Sequence, residues 1–298
     1  MERFLQYLFD GLSVGSVYAV LALGLVVVFR GTGHLNFAQG EMALFCTYLT
    51  WQFDDWGLPL VIATVLGMAA GFGIGAVTEV ALVSPMNKKS PFAVFVVSIA
   101  LFLGLNSLAG AIWGVDGLAF GNFFPNDPED FVRVGGAVWR WERLGVLLVV
   151  LMLTGAFFLL FQKTKLGLAM RAVSSNPDSA KLVGIRTKWV LMASWGLAAA
   201  VGALGGSLVA SINGNVNQAM MLTIFVYASA AATLGGFDSP GGAVISGLAI
   251  GVIENMAAGY QPEWIGQDMK LAVALLIIFV VLLFKPSGLF GSAKVERV

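Results

Sequence analysis

The chain has 298 residues, 58% of them hydrophobic and 11% charged, with a formal net charge of zero. An ordinary soluble domain carries roughly 25% charged residues, and a mean hydropathy of +0.86 excludes a water-soluble globule of this length. No basic cluster is interleaved with stacking aromatics, which argues against a nucleic-acid partner, and a single cysteine, Cys46, with a single histidine, His34, excludes an internal disulfide and a zinc cluster.

The expected fold is therefore all-α, a polytopic membrane protein of eight or nine spanning helices in one transmembrane domain over 1–298. A span needs about 20 mostly apolar residues, and lipid leaves no partner for irregular backbone. The N-terminal "MERFLQYLFDGLSVGSVYAV" is interrupted by Asp10 and runs on to Phe29 without an A-x-A site, so it is read as a first span and not as a cleaved signal. Candidate spans follow at 9–29, 38–53, 59–83, 92–113, 144–161, 189–210, 219–236, 241–258 and 268–284. The second, seventh and eighth are short or interrupted by glycine.

Small residues recur every fourth position at Gly11, Gly15, Ala19; at Gly67, Gly71, Gly75; at Ala198, Gly202, Gly206; and at Ala243, Gly247, Gly251. That spacing lines one ridge of each helix and lets backbones approach closely. A weak internal echo relates the first span, "GHLNFAQGE", short span and long span to the late span, "GGFDSPGG", short span and final span. Such repeats in transporters place the substrate site between them.

Lysine and arginine set the orientation. With 163–188 placed inside and the spans alternating from there, Arg30, Lys88, Lys89, Lys163, Lys165, Arg171, Lys181, Arg186, Lys188, Lys285, Lys294 and Arg297 fall on the cytoplasmic side. Arg3, Arg133, Arg140, Arg143 and Lys270 fall outside. Nine spans then put the N-terminus outside and the C-terminus inside. The outer segment 114–143 is read as a lid or short hairpin, or else a spacer, with Trp139 and Trp141 at the interface.

Three acidic residues interrupt apolar runs: Glu41, Glu79 and Glu254. A charge at the bilayer centre costs on the order of 3 kcal/mol on insertion scales, so it faces a partner or a cavity. Glu79, near the end of its span, is expected to snorkel or to pair with Lys88 or Lys89. Glu41 follows Gly40 at a helix start, where a carboxylate suits the dipole. Pairing or capping is the plain reading of all three, and a proton relay the rival one. Asn36, Gln39 and Glu41 mark a polar break between two apolar spans, a candidate substrate pathway or gate, with Glu254 as its deeper acidic member. Holding the turn is their expected task, ahead of direct ligand contact.

No G-x-x-x-x-G-K-[ST], H-E-x-x-H or G-x-S-x-G motif occurs, so neither ATP binding at a phosphate loop nor hydrolytic chemistry is expected. No cofactor or metal is implied. The segment "KTKLGLAMRAVSSNPDSAKLVGIRTK", 163–188, is soluble in character between apolar runs. Asn176 suits an N-cap, Pro177 the first helical position, Asp178 the positive dipole end and Gly184 a stop. One helix of about two turns, with caps at both ends, implies a shape that docks into something.

Three stretches carry a resemblance: "GLSVGSVYAVLALGLVVVFRGTGHLNFAQGE", "MRAVSSNPDSAKLVGI" and "AAATLGGFDSPGGAVISGLAIGVIENMA". Together they resemble LivH-type permeases of high-affinity branched-chain amino acid ABC transporters, in order over nearly the whole chain, with "NFAQGE" the most specific element. The resemblance implies a transport subunit with no covalent chemistry of its own. Its implied partners are a second permease subunit, LivM-type or identical, two cytoplasmic ATPase subunits and an extracytoplasmic substrate-binding protein, in a bacterial inner membrane. It also implies that Arg171, Asn176, Pro177, Asp178, Gly184 and Ile185 belong to a segment that transmits ATPase motion. The chain departs from the family at "SPMNKKSP", where Ser84 precedes Pro85 in place of a frequent Arg-Pro pair. Two rivals stand beside this reading: the same architecture serving urea, short amides or aromatic acids, and a stand-alone transporter coupled to protons or sodium through Glu41 and Glu254.

Overall fold

The structure, a computed structural model, describes residues 1–87, 91–260, 269–285 and 287–291. Lys88, Lys89, Lys294 and Arg297, and the side chain of Lys270, lie outside the described residues. Helices follow the apolar runs: α1 (Glu2–Thr32), α2 (Gln39–Asp55), α3 (Leu60–Thr78), a π-helical turn (Glu79–Val83), α4 (Ser84–Asn87), α5 (Pro91–Trp113) and α6 (Trp141–Lys163). After them come α7 (Lys165–Ser175), α8 (Pro177–Leu182), α9 (Thr187–Asn213), α10 (Met220–Gly235), α11 (Pro240–Tyr260) and α12 (Met269–Phe284). Among the described residues, six helical stretches are long and apolar enough to cross a membrane: α1, Leu60–Met86, Phe92–Trp113, α6, α9 and α11. The shorter α2, α10 and α12 complete an all-α, multi-pass architecture.

Burial separates centre from rim. The apolar windows of α1 and α9 are 78% and 83% buried inside the chain, those of α5 and α6 only 17% and 28%. Large apolar side chains such as Phe92, Leu103, Leu148 and Phe158 are therefore exposed on the outer helices. That pattern suits a lipid environment, where no water penalises them.

The small-residue ridges explain how the centre closes. A Cβ on Gly11 would stand 2.6 Å from Val252 Cα, one on Gly15 2.8 Å from the Gly247 carbonyl oxygen, and one on Gly247 2.8 Å from Ala19 Cα. Helices α1 and α11 thus meet backbone to backbone. Hydroxyls inside the bundle bond along their own helices: Ser13 to Phe9, Thr47 to Ala43, Thr50 to Cys46, Ser194 to Val190 and Ser207 to Ala203, each donating to a main-chain carbonyl at 2.7–3.1 Å. Burial then leaves them satisfied.

Among the described residues, four short strands lie at one end of the bundle, here the loop end. β1 (Leu118–Ala119) pairs antiparallel with β4 (Asn215–Val216). β2 (Phe131–Val134) pairs with β3 (Ala137–Arg140), Val134 opposite Ala137. Gly135 and Gly136 turn this hairpin with φ of +60° and +88°, the pair of positive values a two-residue turn of this hand demands.

Segment 114–143 is therefore a hairpin plus an inserted stretch, for Phe120 is buried and the Ser211 hydroxyl accepts from the Phe123 amide. Trp139 is half-buried against α1: its ring stacks on Phe9 at 4.5 Å and its indole N–H donates to the Ser13 hydroxyl at 3.2 Å. Trp141 is exposed.

Other expectations change too. The third span continues through the π-helical turn to Asn87. The internal echo equates α2 with α11, yet α2 has 17 residues and α11 has 21. Glu79 does not snorkel. It is 2% exposed, its Oε2 has no hydrogen-bond partner among the described residues, and its expected pairing with Lys88 or Lys89 lies outside them.

Candidate functional site

Two regions hold the residues singled out by sequence. The first is a turn inside the bundle. α1 ends at Thr32, the chain turns through 33–38, and α2 starts at Gln39. Asn36, Gln39 and Glu41 are each at most 1% exposed. The Ala38 amide donates to Asn36 Oδ1 at 3.0 Å, and Asn36 Nδ2 donates to Gln39 Oε1 at 3.3 Å. Gln39 Nε2 in turn donates to the carbonyl of Ala198 at 2.8 Å, in the interior of α9. The turn is thereby fastened to the most buried helix.

Glu41 sits in the first turn of α2, as a carboxylate favours, and accepts from Asn106 Nδ2 at 2.9 Å. Asn106 also donates to the Gln218 carbonyl at 3.2 Å, and Gln218 Nε2 donates back to the Asn106 carbonyl at 2.7 Å. Glu41, Asn106 and Gln218 join the starts of α2 and α10 to the middle of α5. A Cβ on Gly40 would stand 3.0 Å from Phe225 Cβ, so these two short helices lie side by side. Sequence reasoning missed Asn106 and Gln218. A lone asparagine in an apolar span was the available signal for the first. Gln218 offered none.

Glu254 stands apart from that turn. It accepts from the Tyr18 hydroxyl at 2.7 Å, and Tyr18 stacks on Tyr227 with ring centres 4.6 Å apart. The Tyr227 hydroxyl faces the same carboxylate. Residues from α1, α10 and α11 thus enclose it.

The second region is the polar segment at the opposite end. It forms two helices, not one. α7 is amphipathic, with Met170 and Val173 buried and Leu166 packed against the core. Their spacing of four and three residues puts them on one face. Asn176 ends α7 and caps α8: its Oδ1 accepts from the amides of Asp178 at 3.1 Å and Ser179 at 2.9 Å, with Pro177 in the first helical position. Asp178 pairs with Lys181 at 2.9 Å. Gly184 ends the helix at φ +86°, where the Ile185 amide reaches back to the Ala180 carbonyl at 3.0 Å. A left-handed stop of this kind favours glycine.

Ile185 packs partly buried against the core and anchors the segment to the bundle. The exposed apolar groups are Leu182 and Val183, 89% and 77% accessible, which sequence reasoning did not single out. Arg171 turns inward. It lines a cavity of 280 Å³ with Phe29, Arg30, Ser174 and Asp238, and its Nε has no hydrogen-bond partner among the described residues. Arg30 stacks over Phe161 at 4.8 Å and interacts with Asp238 and Arg171. The cluster ties α7 to the end of α1 and to the α10–α11 loop.

The described cations segregate. Arg30, Lys163, Lys165, Arg171, Lys181, Arg186, Lys188 and Lys285 gather at the α7–α8 end, while Arg3, Arg133, Arg140 and Arg143 stand at the loop end.

Comparison with known proteins covers this whole architecture. The family described as "Branched-chain amino acid transport system / permease component" matches residues 7–282. The high-affinity branched-chain amino acid transport system permease protein LivH of Salmonella typhimurium is 28% identical, over 99% of this chain and 98% of its own. Permease protein BraD of the corresponding system in Pseudomonas aeruginosa is 26% identical, over 99% and 98%. A probable branched-chain amino acid transport permease protein LivH of Methanocaldococcus jannaschii is 27% identical, over 93% and 89%.

Proposed function

The chain belongs to the family of branched-chain amino acid transport permease components, and from that premise we propose that it is the membrane-spanning subunit of an ABC importer for branched-chain or related hydrophobic amino acids. It pairs with a second permease subunit, receives substrate from an extracytoplasmic binding protein, and is driven by two cytoplasmic ATPase subunits in which ATP hydrolysis resides. The membrane is the bacterial inner membrane. The 163–188 end faces the cytoplasm, 114–143 and the N-terminus face outward, and the C-terminus is inside. The segregation of cations supports this orientation.

The observation that carries the coupling role is the α8 tip. A short helix capped at both ends, with Leu182 and Val183 almost fully exposed between polar neighbours, suits insertion into a groove on another subunit. Asn176, Pro177, Asp178 and Gly184 fix its shape. Ile185 and the Arg171 cluster pass its displacement to α1 and the α10–α11 loop. Asn36, Gln39 and Glu41 hold the mid-depth turn that borders the pathway, and Glu254 is held by two tyrosines. Nothing in the comparisons favours urea, short amides or aromatic acids as cargo.

The test is ATP hydrolysis and leucine uptake measured in the same proteoliposomes with the ATPases and binding protein present. Loss of an Asn cap costs about 1 kcal/mol, and valine at a positive φ adds strain. The Asn176→Ala/Gly184→Val double variant should retain membrane insertion and lose most uptake. Unchanged uptake would reduce the segment to a connecting loop.

A further inference from the structure

One cavity takes no part in the mid-depth turn or the coupling segment. At the loop end α1, α9 and α10 part around 160 Å³ of space, walled mostly by Val14, Val17, Val209, Ile212 and Ile224, with Ser13 and Asn213 also on the lining. Tyr18 closes it toward the centre of the bundle, and Arg143, from the first turn of α6, stands at its rim. The apolar wall residues are three valines and two isoleucines, so that part of the wall is β-branched and stiff. An engineered apolar cavity of about 150 Å³ accepts a molecule the size of benzene. A four-carbon side chain therefore fits.

The rim supplies what such a side chain would be attached to. Arg143 is ion-paired with Asp10, one turn from Val14 on α1, and the two side chains remain 36% and 29% exposed. A guanidinium and a carboxylate side by side are the mirror of an α-amino acid's carboxylate and ammonium. A zwitterion docked there brings no net charge into the bundle, and each of its charges meets an opposite one at a partly exposed rim, where such pairing is modest and the side-chain cavity supplies the rest. A charged side chain would meet mostly apolar walls and lose its hydration.

We propose that this cavity is the receiving subsite for a zwitterionic α-amino acid with a branched apolar side chain: carboxylate on Arg143, ammonium on Asp10, side chain between the valines and isoleucines of α1, α9 and α10. The proposal rests on the reading of this chain as a permease for hydrophobic amino acids, and it puts the subsite within one chain, on the side where the binding protein docks.

The test is thiol labelling of the complete complex in nanodiscs. On a Cys46→Ser background, Ile212→Cys, and separately Val209→Cys in case one of them disturbs packing, is reacted with a small maleimide. Saturating L-leucine should slow labelling at least threefold, L-glutamate should not, and adding Arg143→Gln should abolish the protection. Failure of leucine to protect either position in a complex that transports leucine overturns the subsite. Protection that survives Arg143→Gln overturns the zwitterion contact, and equal protection by glutamate overturns the selectivity. A site closed to the reagent by a lipid chain, with leucine unable to open it, also overturns it. If the unaltered complex transports no hydrophobic amino acid, the functional reading fails, whatever the labelling shows.

Discussion

Replacing Gly247 by alanine adds one methyl group, and the structure states what it meets. That carbon would lie 2.8 Å from both Cα and N of Ala19, whereas ordinary contact begins at 3.4 Å, so it is 0.6 Å too close to main chain that no rotamer can move. Helices α1 and α11 must part, and the neighbouring contacts at Gly11 and Gly15 loosen with them. Overpacking of this kind costs about 1–3 kcal/mol. Glycines away from the seam should respond in the opposite sense: Gly73 in α3 and Gly155 in α6 have nothing within 4 Å of an added Cβ, and alanine there gains on the order of 0.5–1 kcal/mol of helix stability. Thermal unfolding of the purified chain in mild detergent, followed by tryptophan fluorescence, should show a lower midpoint for Gly247→Ala and an equal or higher one for Gly73→Ala and Gly155→Ala. Adding Ala19→Gly removes a Cβ 3.0 Å away but leaves the backbone clash, so rescue should be partial. An unchanged midpoint for Gly247→Ala, or complete rescue by Ala19→Gly, would refute the backbone seam.

The polar turn and the charge pattern give two further outcomes. Gln39→Leu removes the bond to Ala198 and leaves Asn36 Nδ2 only the weak Met42 Sδ acceptor, a loss of about 1–3 kcal/mol at a fully buried site; uptake and substrate-stimulated ATP hydrolysis should fall together, and normal uptake would make the turn an inert connection. Ser175→Cys on a Cys46→Ser background should resist a membrane-impermeant thiol reagent in intact cells and react after lysis, while labelling in intact cells would invert the proposed orientation.

The long apolar helices were legible because a span announces itself locally, by some 20 residues without charge. So were the caps of α8, since Asn176, Pro177 and Gly184 act on backbone within four residues of themselves. What escaped is non-local. Glu254 finds Tyr18 across 236 positions, and no local pattern names that partner. β1 and β4 are two residues each, too short for any alternation to show. α7 escaped for another reason: its apolar face at Leu166, Met170 and Val173 is embedded in a basic stretch whose polarity masks its period. Snorkelling was the wrong expectation for Glu79 because nearness to a helix end suggests reach to the surface, whereas the π-helical turn continues the chain past it and keeps it covered.

The hydroxyls that bond within their own helices have a mechanical meaning. Such a bond travels with its helix, so tilting or sliding that helix breaks nothing. Bonds between helices behave as tethers: Gln39 couples α2 to α9, Asn106 couples α5 to α2 and to the start of α10, and Tyr18 couples α1 to α11. Across the lower part of α10, Ser229 and Thr233 donate only to the carbonyls one turn back, Phe225 and Ser229. The end of α10 nearest the Arg30–Asp238 cluster is instead fastened through its main chain, the Leu289 and Phe290 amides donating to the Leu234 and Gly235 carbonyls at 2.7 and 3.2 Å, so that end moves only together with the 287–291 segment.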